Sequence, residues 1–299
     1  MRNLLLILFA TFSLPAHAVL NIFACEPEWA MLAAELGGDK VKTFSATGGL
    51  QDPHRIEARP SLIARARNAD LLVCTGAELE TGWLPLLLGQ SGNAKIQAGQ
   101  PAHFMAADYV TKLDMPAQLD RAEGDVHPAG NPHIQTDPRN ILAVADALAQ
   151  RLRRIDAANA AFYDARHADF AARWRDAMSR WEKQAAPLKG MPIVVQHKSW
   201  AYLSHWLGLR EVAALEPRPG IEPSSAHLQE VLARLEREPA RFIIRAAYNN
   251  ERPSEWLAQR AHIPAVMLPF TVGGTPQATD LFALFDDTLR RLLDAAHEH

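Results

Sequence analysis

From Pro138 the chain keeps a helical period for roughly fifty residues, and this stretch limits the available folds more than any other. Ile141, Val144, Leu148 and Leu152 mark one helix. Phe162, Phe170, Trp174, Met178 and Trp181, at three- and four-residue steps, mark a longer one from Ala157 to Gln184. At 1.5 Å per residue the longer helix measures about 42 Å, enough to run from one lobe to another. Pro187 and Gly190 end it.

On either side of this stretch, strand and helix signals alternate. Before it, strands are predicted at Leu20 to Ala24, Val41 to Ser45 and Asp70 to Cys74, with helices at Pro27 to Leu36, Pro60 to Ala69 and Thr81 to Leu88. After it, strands fall at Ile193 to Gln196, Glu211 to Leu215, Phe242 to Arg245 and Ala265 to Leu268. Helices follow at Ser199 to Leu207, Ser225 to Glu236, Pro253 to Ala261 and Ala278 to Ala296. Such alternation predicts an α/β fold whose mainly parallel sheets are covered on both faces. The expected architecture is an N-terminal lobe over 19–155, a long linking helix over 156–185 and a C-terminal lobe over 186–299. At 48% hydrophobic, 299 residues suffice for a core in each lobe. Ligands of such sheets bind beyond the carboxyl ends of the strands, which directs attention to the cleft between the lobes.

Residues 1–18 read as a cleaved signal peptide: Arg2 is the positive start, Leu4 to Phe12 the apolar segment and Ala16-His17-Ala18 a small-x-small cleavage site. No later run reaches the roughly 18 apolar residues of a transmembrane helix, so a free periplasmic protein is expected, without direct membrane insertion. Its net charge of −3 argues against nucleic acid or an anionic membrane surface as partner. Cys25 and Cys74, the only cysteines, each close a predicted strand; a disulfide and two buried thiols both fit that position.

Three of the 12 histidines have backbone settings that would present them. His133 lies in GNPHIQTDP, between Pro132 and a helix start at Thr136-Asp137-Pro138. His54 lies in QDPHRIEARPS, and His197 follows the apolar run Met191 to Val195. These three are expected to converge on one transition-metal ion. Residues 113 to 131, with Asp114, Asp120, Glu123, Asp125 and His127, have no apolar period and read as a solvated excursion rather than a metal collector.

The segments QDPHRIEARPS, GNPHIQTDP, VVQHKSWAYLSHWLGL and PGIEPSSAHLQEV resemble, in order and spacing, the zinc- and manganese-type (cluster A-I) solute-binding proteins of bacterial ABC importers. The resemblance covers essentially the whole chain after residue 18. It implies two α/β lobes on a rigid helix, one metal ion in the cleft, and an ABC importer membrane permease as partner of a monomeric binding protein. It places metal ligands on His54, His133, His197 and, at a carboxylate position, Asp280. Asp286 and Asp287 are read as solvated, and Glu57 as a candidate support for a ligand histidine. Three imidazoles and one carboxylate suit Zn²⁺ better than Mn²⁺, which prefers more oxygen. The alternatives are a three-histidine zinc hydrolase, for which no HExxH string is present, and a haem or metal-chelate binding protein, which would need a larger apolar cleft.

Overall fold

The computed structural model describes residues 19–115 and 127–297; residues 1–18, read above as a signal peptide, and most of the acidic excursion lie outside them. The first half runs β1 (Leu20–Ala24), α1 (Pro27–Gly37), β2 (Val41–Ser45), α2 (Pro60–Arg67), β3 (Leu71–Cys74), α3 (Leu84–Ser91) and β4 (His103–Met105). Two helices follow, α4 (Pro138–Ile155) and α5 (Ala160–Ala185). The second half runs β5 (Pro192–Val195), α6 (Ala201–Leu207), β6 (Arg210–Ala214), α7 (Ser225–Arg237), β7 (Phe242–Ala246), α8 (Arg252–Ala261), β8 (Ala265–Leu268) and α9 (Leu281–His297).

Each half builds a four-stranded, all-parallel sheet, in the order β2-β1-β3-β4 and β6-β5-β7-β8. The second sheet repeats the strand order of the first. In both, the chain's first strand is flanked on two sides, so the order reverses there and leaves a crevice at the strand carboxyl ends. β3 is buried at all four positions and β1 at its last three, as expected of strands covered on both faces. The short β4 carried no sequence signal: three residues are too few for alternation to register, and its pairing of Phe104 with Val73 defines it.

The long helix is tied to both halves by its aromatic face. Tyr163, Phe170, Trp174, Ala177 and Trp181 are buried at helical spacing. The Trp174 indole N–H donates to the carbonyl of Pro138 at the start of α4 (2.8 Å), and that of Trp181 donates to Asp286 Oδ1 on α9 (2.6 Å). Phe282 and Phe285 of α9 pack against these same rings. Asp286 is exposed, as expected, while accepting the Trp181 bond, but the expectation that Asp287 faces solvent is corrected. Asp287 is only 3% exposed and accepts hydrogen bonds from Thr275, Arg290 and Arg291. Burial alone would raise its carboxyl, but those bonds outweigh it and hold the group below the ordinary carboxylate range.

Cys25 and Cys74 form a disulfide that joins the ends of neighbouring strands β1 and β3, with Cα atoms 4.8 Å apart. The bridge spans 49 residues, so its loss frees a long loop in the unfolded chain. Replacing both cysteines by alanine is expected to lower stability by about 2–4 kcal/mol, read as an earlier urea-unfolding midpoint of the metal-free protein.

Candidate metal centre

One tripeptide pattern builds two thirds of the site. Asp52-Pro53-His54 follows β2, and Asn131-Pro132-His133 precedes α4. In each, the Asx Oδ1 accepts from the histidine backbone N–H at 3.0 Å and from its Nδ1 at 2.8 Å. The proline stiffens the backbone between the two residues, so the short Asx side chain folds forward onto the imidazole. Because the Asx oxygen can only accept, Nδ1 carries the proton and Nε2 is left with a free lone pair.

His197 reaches the same state from the other lobe. It stands just beyond the carboxyl end of β5, where Nδ1 donates to Glu216 Oε2 at 2.7 Å; Gly220 N–H donates to that same oxygen at 2.7 Å. A ring nitrogen from each of His54, His133 and His197 lies within 4.8 Å of the others. The ring centroids form a near-equilateral triangle, 5.3, 5.5 and 5.9 Å on a side. Nε2 of His133 is buried with no hydrogen-bond partner. A buried lone pair without a donor costs free energy unless a cation occupies its front.

Asp280 is not brought to this cluster. It caps α9 instead: its Oδ1 accepts from Ala283 N–H at 2.8 Å and its carbonyl from Leu284 N–H at 2.9 Å. The expected carboxylate ligand is thus not among the ligand atoms that the structure brings within 4.8 Å of one another. Glu57 is exposed, and the support it was read to offer His54 comes from Asp52. Burial would raise the Asp52 carboxyl, but hydrogen bonds from His54 and the proximity of His54 and His197 win and lower it.

His127, left by the sequence reading in the solvated excursion, stands beside the three histidines without joining the set whose ring nitrogens all lie within 4.8 Å of one another. Its Nε2 stands 3.3 Å from Nε2 of His54. Two nitrogens on a tetrahedral Zn²⁺ with bonds of about 2.0–2.1 Å would be separated by about 3.3 Å. The chain turns back between the two histidines at Gly130, whose N–H donates to the His127 carbonyl and whose φ of +99° favours glycine. A Cβ there would also meet the Leu113 carbonyl oxygen and Lys112 at 2.9 Å. The available signal was that His127 lies a few residues before the Asn-Pro-His motif with a glycine between.

Burial, then the neighbouring His54 and His197, push the His127 imidazolium down to about 4. The same causes, with His127 added, hold His133 well below the usual histidine range. Both rings are neutral near pH 7, the form that ligates. A polar cleft of about 140 Å³ lined by Asp52, His54, Arg55, His197, Glu216 and Tyr248 opens onto the cluster. The other grouping of ligand-type side chains among the described residues, Cys25, Cys74 and Glu80, is occupied by the disulfide.

Residues 22–295 match the family described as "Zinc-uptake complex component A periplasmic". Among curated proteins, the manganese ABC transporter substrate-binding lipoprotein PsaA of Streptococcus pneumoniae is 23% identical over 249 residues, covering 80% of this chain and 76% of its own. The zinc-binding lipoprotein AdcA of Streptococcus pneumoniae (strain ATCC BAA-255 / R6) is 22% identical over 224 residues, which cover 75% of this chain and 44% of AdcA. A crystal structure of ZnuA superposes with a TM-score of 0.77 at 23% identity, over 93% of this chain and 99% of the other. A periplasmic metal-binding protein from Candidatus Liberibacter asiaticus superposes with a TM-score of 0.74 at 15% identity, with the same coverage.

Substituting Asn131→Ala removes the acceptor that orients His133 without touching the ring. Affinity for a divalent cation is expected to fall about 10–100-fold in a competitive chelator titration, with unfolding of the metal-free protein little changed.

Proposed function

The chain belongs to the family of periplasmic zinc-uptake component A proteins, and from that membership we propose that it holds one Zn²⁺ between its lobes and delivers it to an ABC importer permease. The observation that carries the reading is the set of three imidazoles whose Nδ1 atoms are all engaged, one of them with a buried, unpartnered Nε2. In this proposal His54, His133 and His197 are ligands and His127 is the fourth. Four neutral nitrogens suit Zn²⁺, while Mn²⁺ favours carboxylate and water oxygens. Asp52 and Glu216, hydrogen-bonded behind His54 and His197, supply two negative charges that balance a divalent ion.

The same contacts weigh against hydrolysis. Of the three carboxylates lining the cleft, Asp52 and Glu216 are each committed to a histidine Nδ1, which leaves neither as a free general base, and Glu222 is exposed. The cleft of about 140 Å³ is smaller than the roughly 300 Å³ at which organic-ligand pockets begin, which weighs against haem or a large chelate. The proposal further includes removal of residues 1–18 on export, a monomer over 19–299 in the periplasm, and α5 as the rigid link between two lobes.

The test is metal content with competitive Zn²⁺ and Mn²⁺ titration of residues 19–299 and of three variants. One tightly held zinc per chain is expected. His133→Ala should weaken it by more than the roughly 10–100-fold that loss of an orienting partner causes, His127→Ala should weaken it clearly, and Asp280→Ala should leave it unchanged. Loss of zinc in Asp280→Ala with none in His127→Ala would overturn the ligand set, and preference for manganese would overturn the cargo. Zinc affinity should also decline as pH falls, because protons compete for the imidazoles. With His127 titrating at about 4, its share of that decline should appear only as pH approaches 4.

A further inference from the structure

The C-terminal lobe reaches the N-terminal lobe through the segment after β8. Phe270 sets its ring edge-on to His133, with centroids 5.6 Å apart, and is backed by Trp200 and Tyr248. The next residue, Thr271, donates its hydroxyl to Glu28 Oε2 in the first turn of α1. Gly273 then lies so close to Gly49 that a Cβ on Gly49 would come within 2.2 Å of the Gly273 carbonyl carbon. Three contacts within four residues join this strap to the opposite lobe, and all of them are between protein groups.

The Glu28 contact differs from the other two because it buries an ionisable group at the junction. Glu28 is 1% exposed and Thr271 5%. The titratable neighbours at this end of α1 are two more buried acids: Glu26, which accepts from the Thr75 hydroxyl, and Glu80, which accepts from the backbone of Thr75 and Gly76. Other charges on α1 and on elements packed against it form ion pairs. Glu35 at its far end meets Arg166 and Arg173 of α5, Asp287 of α9 meets Arg290 and Arg291, and Asp137 ahead of α4 meets Arg139.

We propose that Glu28 and Thr271 form a clasp between the lobes that holds in the carboxylic-acid form and loosens when Glu28 ionises. Its consequence for ion exit rests on the metal-binding reading; the clasp itself does not. Burial, offset in part by Thr271 and the helix-start N–H and reinforced by Glu80, raises the Glu28 carboxyl from 4.5 to about 7. The Thr271 bond itself favours the carboxylate, so the loosening comes from burial of the charge, which opening the cleft would relieve by hydrating the group and returning it toward its ordinary value. Closure is therefore favoured in full below about 4.5, and that advantage is lost progressively as pH rises to about 7, beyond which nothing further changes. The direction is opposite to that of the imidazoles, which give up the ion in acid.

Hydrogen exchange of peptides covering 269–280, in chelator-treated residues 19–299, tests the clasp. Wild type and Glu28→Gln are compared at the same pH, so intrinsic exchange chemistry cancels. The ratio of wild-type to Glu28→Gln exchange should rise by up to about tenfold between about pH 6 and pH 8, while the ratio for α7 peptides stays flat. Thr271→Val should exchange faster than wild type at both pH values. A ratio for 269–280 that does not change with pH, an equal rise in α7, or wild-type exchange in Thr271→Val would each overturn the clasp. This metal-free comparison decides the clasp whether or not the chain holds zinc.

Discussion

Each of three imidazoles in the cleft has its Nδ1 bound to a fixed oxygen, and the chemistry of the site depends on those three hydrogen bonds. They select the tautomer, aim Nε2 inward and stop the rings from turning to satisfy themselves elsewhere. The three oxygens come from an aspartate, an asparagine and a glutamate, so the shell contributes two negative charges rather than three. A neutral nitrogen cage with a charge of −2 directly behind it is matched to a dication.

The fold exists to bring these groups together from distant parts of the chain. Two parallel sheets of the same strand order present their carboxyl ends to a common crevice, so residues that follow β2, β5 and β8 meet there. The helix α5 sets the distance between the sheets, with one tryptophan hydrogen-bonded into each half. The strap Pro269 to Gly274 joins the lobes a second time, through Phe270, Thr271 and Gly273. Asp280, six residues beyond the strap, is engaged at the start of α9.

Much of this architecture was legible in the sequence because it follows from periodicity. The bounds of β1, β2 and β8 agree with the apolar runs to the residue, and α5 ends within a residue of the predicted stop. His54, His133 and His197 were legible because proline and strand ends give each a constrained setting. What escaped were features that depend on three-dimensional return. His127 has no periodic neighbour and comes to the edge of the cluster, beside His54, through the turn at Gly130. The internal echo of Asp-Pro-His in Asn-Pro-His was present in the letters, yet its meaning lies in a side-chain geometry that spacing does not display. Asp280 illustrates the converse: an acid at a helix start serves equally as cap or ligand, and only tertiary placement separates the two.

The central claim is that the ion is held by nitrogen alone. X-ray absorption at the zinc edge of the loaded protein reads the ligand shell without mutating it. The account predicts four nitrogen donors at about 2.0–2.1 Å, with outer-shell scattering that requires four imidazoles. A shell with two or fewer imidazoles, or with carboxylate oxygens making up half of it, would contradict the account.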